Sequence, residues 1–331
     1  MPKYSIIIPV FNRPDEIDEL LASLMKQSFD DFEVILVEDG SSKTCQAIAE
    51  HYANRLNVRY FFKENEGQGY ARNYGYQRAE GEVLIVFDSD CLIPPNYFQE
   101  VNDYLGLHQV DAFGGPDTAL DSFTPIQRAI SHTMTSFFTT GGIRGRKKQI
   151  GTYHPRSFNM GITQKVFQKT GGYRIPFMGE DLEFSIRIIT AGFKTALIPN
   201  AFVYHKRRTN LIQFYKQINY FGRARINLTR FHSGHLKILH LFPLIFVLGF
   251  FSAFVLSFSG QSLGFLGIGC YVIYLLLISL EALLKSKSLK VALYVPLTTL
   301  IQMLGYAVGL IHEVIQKLRG IDPNKKYIDL Y

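Results

Sequence analysis

Acidic residues are scarce through the middle of this 331-residue chain. Between Asp121 and Glu281 the only ones are Glu180, Asp181 and Glu183. The same stretch carries Arg144, Arg146, Lys147, Lys148, Arg156, Lys206, Arg207, Arg208, Arg223, Arg225, Arg230 and Lys237. Such a surface suits phosphate groups, on a ligand or on lipid heads. Nucleic acid fits less well: no recognised binding module is present, and the basic tract runs into apolar segments. Cysteine is equally sparse. Cys45, Cys91 and Cys270 form no CxxC and no zinc spacing, which argues against a disulfide framework and for a reduced, cytosolic setting. A secretory leader is not expected either, because "SIIIPVF" is too short and is broken by Pro9. Internal repeats and low-complexity linkers are missing.

Long apolar runs are present. Ile238–Gly260, Leu263–Leu280 and Val291–Ile311 each have about the 18–20 residues of a membrane-spanning helix. Three spans are expected, the first leaving the cytosol. Arg223–Lys237 precedes the first, and Lys285, Lys287 and Lys290 follow the second, in line with positive-inside orientation. The same scheme puts Lys317, Arg319, Lys325 and Lys326 outside, against that rule. A re-entrant third segment, broken at Pro296 and Gly305, is the alternative. Before the first run, Leu211, Phe214, Tyr215, Ile218 and Phe221 line one face of a helix over Leu211–Arg230. That pattern predicts a helix on the membrane surface, or else one packed on the soluble domain.

Residues 1–115 alternate strand-like with helix-like segments. Strands are predicted at Tyr4–Pro9, Phe32–Glu38, Val58–Phe62, Val83–Phe87 and Val110–Phe113. Helices are predicted at Pro14–Lys26, Lys43–Tyr52, Gly69–Ala79 and Tyr97–Leu105. The pattern indicates an α/β domain with a mostly parallel sheet, which binds ligands beyond the carboxyl ends of its strands. Asn12, Asp39, Asn65 and Asp88 follow the first four strands, so polar groups meet at one edge. Residues 116–208 are less regular and complete the domain. Residues 209–235 form the surface helix, 236–315 the spans and 316–331 a tail. Thr139–Arg156, rich in glycine and basic residues, reads as a mobile loop over the donor or acceptor.

Four constellations carry chemistry. In "VLIVFDSDC", Asp88 and Asp90 share a face if the strand stays extended, and two like charges there call for a cation. Mg²⁺ commonly takes one or two carboxylates plus substrate phosphates. Gly67-x-Gly69 lacks the third glycine of a dinucleotide fingerprint and reads as a tight turn before a helix. Arg72 follows in that helix and, alone, reads as an exposed arginine. Glu180-Asp181 opens a helix, where capping alone accounts for acids, yet the pair is isolated in a basic region. His205 admits two readings, a metal ligand or a half-buried histidine.

Together, "SIIIPVFNRPDEI", "VEDGS", "NEGQGYARNYG", "FDSDC", "FNMGI…GGY", "GEDLEFSIRI" and "YHKRR" resemble, in order, a family 2 glycosyltransferase with a GT-A fold. The resemblance covers about residues 4–230. The C-terminal runs and "FYKQINYFGRAR" look like bacterial membrane-bound members of the succinoglycan-glycosyltransferase type, which build exopolysaccharide or lipid-linked glycans. The resemblance implies that Pro9, Phe11 and Asp39 hold the nucleotide base, with Asn65, Arg72 and Ser89 near the nucleotide. It implies that Asp90 is the main ligand of a divalent metal (Mn²⁺ or Mg²⁺), helped by His205, with Asp88 on the ribose or metal. Asp181 would be the general base with Glu180 beside the acceptor, and Arg207 and Arg208 would neutralise the diphosphate. One departure stands out. Processive synthases close this region with Gln-x-x-Arg-Trp, and this chain has no tryptophan. Processive synthesis through a self-made channel is therefore not expected.

These readings converge on an inverting transferase in the cytoplasmic membrane. It would move a sugar from a UDP-linked donor to a lipid-linked or glycan acceptor, with its catalytic domain in the cytosol. Direct transfer to polyprenyl phosphate is one alternative, and a silent nucleotide-sugar-binding membrane subunit is another.

Overall fold

The computed structural model describes residues 1–120, 122–140 and 152–324. The basic loop predicted over Thr139–Arg156 lies largely outside them, as do Lys325 and Lys326. In chain order the elements are β1 (Tyr4–Val10), α1 (Pro14–Leu24), β2 (Phe32–Asp39), α2 (Gln46–Ala53), β3 (Val58–Lys63) and α3 (Gln68–Tyr76). Then come β4 (Val83–Phe87), β5 (Cys91–Leu92), α4 (Tyr97–Leu107), β6 (Ala112–Gly114), β7 (Asp117–Thr118), α5 (Pro125–Thr135) and α6 (Phe137–Thr140). After these follow β8 (Asn159–Thr163), α7 (Gln164–Thr170), α8 (Glu180–Thr190), β9 (Thr195–Leu197), β10 (Val203–His205) and α9 (Leu211–Leu228). The last three helices are α10 (Phe242–Phe258), α11 (Ser262–Ser286) and α12 (Leu289–Leu318).

The chain forms two units. Among the described residues, the first holds 1–118, 152–205 and 323–324, and the second holds 119–140 and 206–322. In the first unit a seven-stranded sheet runs β3-β2-β1-β4-β8-β6-β9. Only β8 is antiparallel to its neighbours. Period-two alternation fills both faces, as pleated geometry requires. Ile6, Ile8, Val34, Leu36, Ile85 and Phe87 join the core under α1, α2 and α4. Ile7, Leu84 and Val86 point the other way, into the core with Val166 of α7 and Phe184 of α8. The polar strand ends therefore sit on one edge of a rigid, two-sided core.

A second, three-stranded sheet, β5-β10-β7, lies outside the strands predicted over residues 1–115. Two of its strands are only two residues long, too short to show periodicity. It pairs His205 with Cys91 and Val203 with Asp117. One further expectation changes here. The extended geometry of β4 ends at Phe87, and Asp88–Asp90 forms a turn rather than continuing the strand.

In the second unit, α9 does not leave its apolar face open. Phe214 and Ile218 pack with Ile130 and Met134 of α5, and with Ile301 and Tyr306 of α12. The predicted surface helix is thus covered on that face by protein. Glycines permit the approach: a Cβ on Gly222 would lie 2.2 Å from the Tyr306 carbonyl oxygen, and one on Gly309 would lie 2.0 Å from that of Asn219. Helix α12 is also unbroken. It runs for 30 residues through Pro296 and Gly305, so the predicted break is not observed. Pro296 removes one backbone donor, and the flanking turns carry the helix on. Three helical segments, Ile238–Phe258, Ser262–Ser286 and Leu289–Leu318, are long and apolar enough to cross a membrane.

Candidate active site

At the ends of β1, β2 and β3 the chain is stitched by side chains. Asn12, at φ 56°, accepts hydrogen bonds from the Ser42 and Lys43 amides at 2.9 and 3.0 Å. The Asp39 carboxylate accepts from the Gly67 and Glu66 amides at 2.9 and 3.1 Å and from Lys63 at 2.9 Å. Asn65 donates to the Asp39 carbonyl at 2.8 Å. Asp39 is buried and holds the 64–67 loop in place, while Phe11, 51% exposed, and the half-buried Pro9 stand nearer solvent. The Gly67-x-Gly69 spacing has a packing cause. A Cβ on Gly67 would meet Pro176 at 2.6 Å, and one on Gly69 would meet the Ile175 carbonyl oxygen at 2.4 Å.

Among the described residues, Asp88 and Asp90 take different ion-pair partners. The Asp90 carboxylate receives Arg13 at 2.8 Å on one oxygen and lies 3.0 Å from Nε2 of His205 on the other. Burial opposes the charge on Arg13, yet Asp90 beside it holds the guanidinium above its ordinary pKa. Nδ1 of His205 lies 4.0 Å from an Asp117 carboxylate oxygen, and Phe158 stacks on the ring. Asp88 instead pairs with Arg72 at 2.8 Å. Ser89, between the two acids, is buried.

Arg72 is the unexpected residue. It is 1% exposed, not a surface arginine, and its guanidinium spans two acids, Asp88 and Glu180, the latter at 3.0 Å. Burial disfavours its charge, but Asp88, Tyr173 and Glu180 together raise its pKa. Glu180 also accepts from Gln68. So Glu180 is enclosed, and burial with the neighbouring Asp181 pushes its pKa up against the pull of Arg72. Removing the cation would strand the buried Glu180 carboxylate, and breaking a buried pair in this way typically costs about 3–5 kcal/mol. Arg72→Met is accordingly expected to lower the thermal midpoint of the detergent-solubilised protein sharply. Arg72→Lys is expected to rescue it only in part, since one ammonium cannot reproduce a two-acid fork. Wild-type stability in Arg72→Met would contradict this.

Asp181 is in the opposite condition. Burial alone would raise its pKa, but Arg156, with Nε 2.6 Å from the carboxylate, outweighs it, and the Leu182 amide adds a hydrogen bond at 2.7 Å. The net effect holds Asp181 below the usual carboxylate range and ionised. Two adjacent acids are thus driven apart, Glu180 up and Asp181 down. The third acid of the helix, Glu183, pairs with Arg187 one turn on at 2.7 Å and is structural.

A cation site is supported by the donor set. Ligand atoms of Asp90, Cys91 and His205 lie within 4.8 Å of one another. Cys91 is a poor member: buried and near three carboxylates, its thiol is pushed well above its ordinary pKa, and it donates to the Phe158 carbonyl at 3.5 Å. A carboxylate oxygen and an imidazole nitrogen remain, and these suit a divalent ion that fills its other positions with phosphate and water. Asp88 is outside this group among the described residues. Arg207 and Arg208 belong to the second unit, where the Arg207 carbonyl accepts from Gln127 at 2.9 Å. Sequence reasoning gave no role to Arg13 or Asp117 and read Arg156 only as part of a basic surface and loop, not as the partner of Asp181. Only Arg13 carried a usable signal, lying inside the "FNRPDEI" motif.

The family model of glycosyl transferase family 2 matches residues 5–171, half of the chain. This chain belongs to that family. Over 115 residues it is 36% identical to the poly(ribitol-phosphate) beta-N-acetylglucosaminyltransferase TarS of Staphylococcus aureus (strain Mu50 / ATCC 700699), covering 34% of this chain and 20% of TarS. It is 35% identical over 115 residues to the uncharacterized glycosyltransferase EpsJ of Bacillus subtilis (strain 168), covering 34% of this chain and 33% of EpsJ. The chain thus matches a third or less of either relative. Among solved structures, the mannosyltransferase PcManGT from Pyrobaculum calidifontis, in complex with GDP-Man and Mn²⁺, superposes with a TM-score of 0.66. That match covers 96% of this chain and 88% of PcManGT at 15% identity, which establishes the shared GT-A-like fold.

Proposed function

We propose that the protein is an inverting glycosyltransferase that moves one sugar from a nucleotide-sugar donor, UDP-linked, to a lipid-linked or glycan acceptor at the cytosolic face of a membrane. The observation that carries this reading is the approach of His205 to Asp90, 3.0 Å apart after a sequence separation of more than a hundred residues. A histidine and a carboxylate at the strand-end edge are what a metal-bound diphosphate requires. When bound there, a divalent metal supplies charge stabilisation for the departing diphosphate. The chain's own residues do the rest. Asp90 and His205 would hold the cation, Asp117 faces the far nitrogen of His205, and Lys206, Arg207 and Arg208 follow His205 in the sequence with three further positive charges. Pro9, Phe11, Asp39 and Asn65 frame the base end, the last two by fixing the loop after β3. Ionised Asp181 takes the proton from the acceptor hydroxyl.

The similarity to TarS, named as a poly(ribitol-phosphate) beta-N-acetylglucosaminyltransferase, supports this class, and three apolar helices support membrane residence. Transfer to polyprenyl phosphate is disfavoured by Asp181, because an anionic acceptor needs no base. The silent-subunit reading is disfavoured by the complete set Asp90, His205 and Asp181. Membranes containing the protein, incubated with radiolabelled UDP-sugars and Mn²⁺, are expected to transfer label to lipid-extractable or polymeric product. Tight binding of nucleotide sugar with no transfer under any donor would replace the enzyme by the binding subunit.

A further inference from the structure

The three apolar helices of the second unit are not alike. Few residues of α10 and α11 are buried, only 11% of either apolar window. They pack on each other as an antiparallel hairpin, with Tyr271 donating to the Phe246 carbonyl at 2.7 Å and Gly264 closely opposed to Ser257. In α12 half of the window is buried, and the two faces differ in kind. Leu293, Leu297, Leu300, Leu304, Val308 and Ile311 form an exposed stripe along it. The opposite face buries Thr298, Gln302 and Glu313.

That buried face rests on the polar helices α5 and α9 for much of its length, and α12 also touches α10 and α11. Near its start, Val291 and Val295 pack with Ala129 of α5 and with Ile278 and Ala282 of α11, and Thr298 bonds Thr133 at 2.6 Å. Arg128 of α5 donates to the Ser286 carbonyl just before α12 begins. Further on, α9 runs parallel to α12, from Tyr215 beside Gly305 to Thr229, which Lys317 reaches at 2.6 Å. Glu313 accepts from Arg223 at 3.1 Å and from Arg230 at 2.8 Å. If α12 crossed the bilayer, α5 and α9 would go with it, taking Arg128, Lys216, Arg223 and Arg225 to hydrocarbon depth. Ionisable side chains there are costly and rare.

We propose that α12 does not cross the membrane but lies along its interface, and that the protein spans the bilayer only twice, through α10 and α11. The inference rests on the membrane residence proposed above. The partner of the α12 stripe is the acyl-chain border of the bilayer, because the stripe is continuous in character with the apolar hairpin beside it and is backed by basic residues suited to lipid phosphates. Both ends of α12 then lie on one side. At about 1.5 Å per residue its 30 residues reach about 45 Å, longer than a hydrocarbon core of about 30 Å. Lys317 and Arg319 join Lys237, Lys285, Lys287 and Lys290 on a single side, which removes the conflict with the positive-inside rule that three spans create.

Two measurements test this on the full chain. The first labels single cysteines in a Cys270→Ser background with a membrane-impermeant maleimide, Cys45 and Cys91 being buried. In intact cells Gln261→Cys is expected to react, whereas Lys290→Cys and Arg319→Cys react only after permeabilisation. Reaction of Arg319→Cys in intact cells would establish a third span and overturn the proposal. Protection of Gln261→Cys would show that the hairpin itself does not cross, a failure of membrane spanning rather than of the α12 assignment. The second uses the lack of native tryptophan: Leu293→Trp, Leu304→Trp and Ile315→Trp are each reconstituted in phosphatidylcholine–phosphatidylglycerol vesicles carrying brominated acyl chains. All three are expected to be quenched at the same shallow depth. Deep quenching at Leu304→Trp alone would mean crossing. Absence of quenching at all three would mean that the stripe is covered by protein, such as a second copy, and would equally overturn the proposal.

Discussion

Asp181→Asn is expected to abolish sugar transfer while leaving nucleotide-sugar binding close to wild type. A sugar hydroxyl is a weak acid, and taking its proton as the new bond forms is typically worth about 10²–10⁴-fold in rate. The amide keeps the size of the carboxylate and its hydrogen bond from Leu182 but cannot accept that proton. Arg156 adds a pH signature. Because it holds Asp181 below its ordinary range, the base stays ionised as pH falls, until pH drops through that depressed pKa. The acid limb of kcat/KM that belongs to Asp181 should therefore lie below the range of an ordinary aspartate. Arg156→Met leaves burial as the main influence, so that limb should move upward. Glu180→Gln should damage transfer less than Asp181→Asn, since Glu180 is enclosed by Arg72 and Gln68. Near-normal turnover in Asp181→Asn, or a product that keeps the donor's anomeric configuration, would exclude this mechanism.

The second large effect is expected at Asp90. Asp90→Asn removes the charge that a dication needs while keeping nearly the same shape. Metal stabilisation of a leaving group is worth several kcal/mol, and each 1.36 kcal/mol is tenfold, so a loss of about 10²–10³-fold is expected. A chelator should silence the wild type, and excess Mn²⁺ or Mg²⁺ should restore it but not the variant. His205→Ala should raise the metal concentration needed for half-maximal activity. Transfer that persists in a chelator would remove the metal from the reaction altogether.

How far the sequence reached differs from element to element. The order of strands and helices in residues 1–115 was legible, because each core strand is a run of alternating or continuous apolar residues and each helix carries a periodic face. Family membership was equally legible, since seven short motifs in fixed order survive without any geometry. Boundaries moved where capping is weak: α2 begins at Gln46 rather than Lys43, since the Cys45 amide is held by Glu38 and no side chain caps the helix. The partners of charges were not legible. Arg72 looked exposed because one arginine near a helix start carries no mark of burial, and the two acids that claim it stand 16 and 108 residues away.

Sequence alone determined the sheet class, the family and the existence of long apolar segments, and it proposed the acids and histidine of the candidate site. These follow from local periodicity and composition, which need no knowledge of what lies across the molecule. Tertiary structure alone decided that Asp88 faces Arg72 while Asp90 faces Arg13 and His205, and that Arg156 sets the charge of Asp181. It decided too that α12 hides one polar face against α5 and α9. Each of these is a contact between distant segments, fixed by the turn after β4, by two-residue strands, or by glycine-lined helix contacts. Coulombic pairing acts over a few ångströms of space, whatever the separation along the chain.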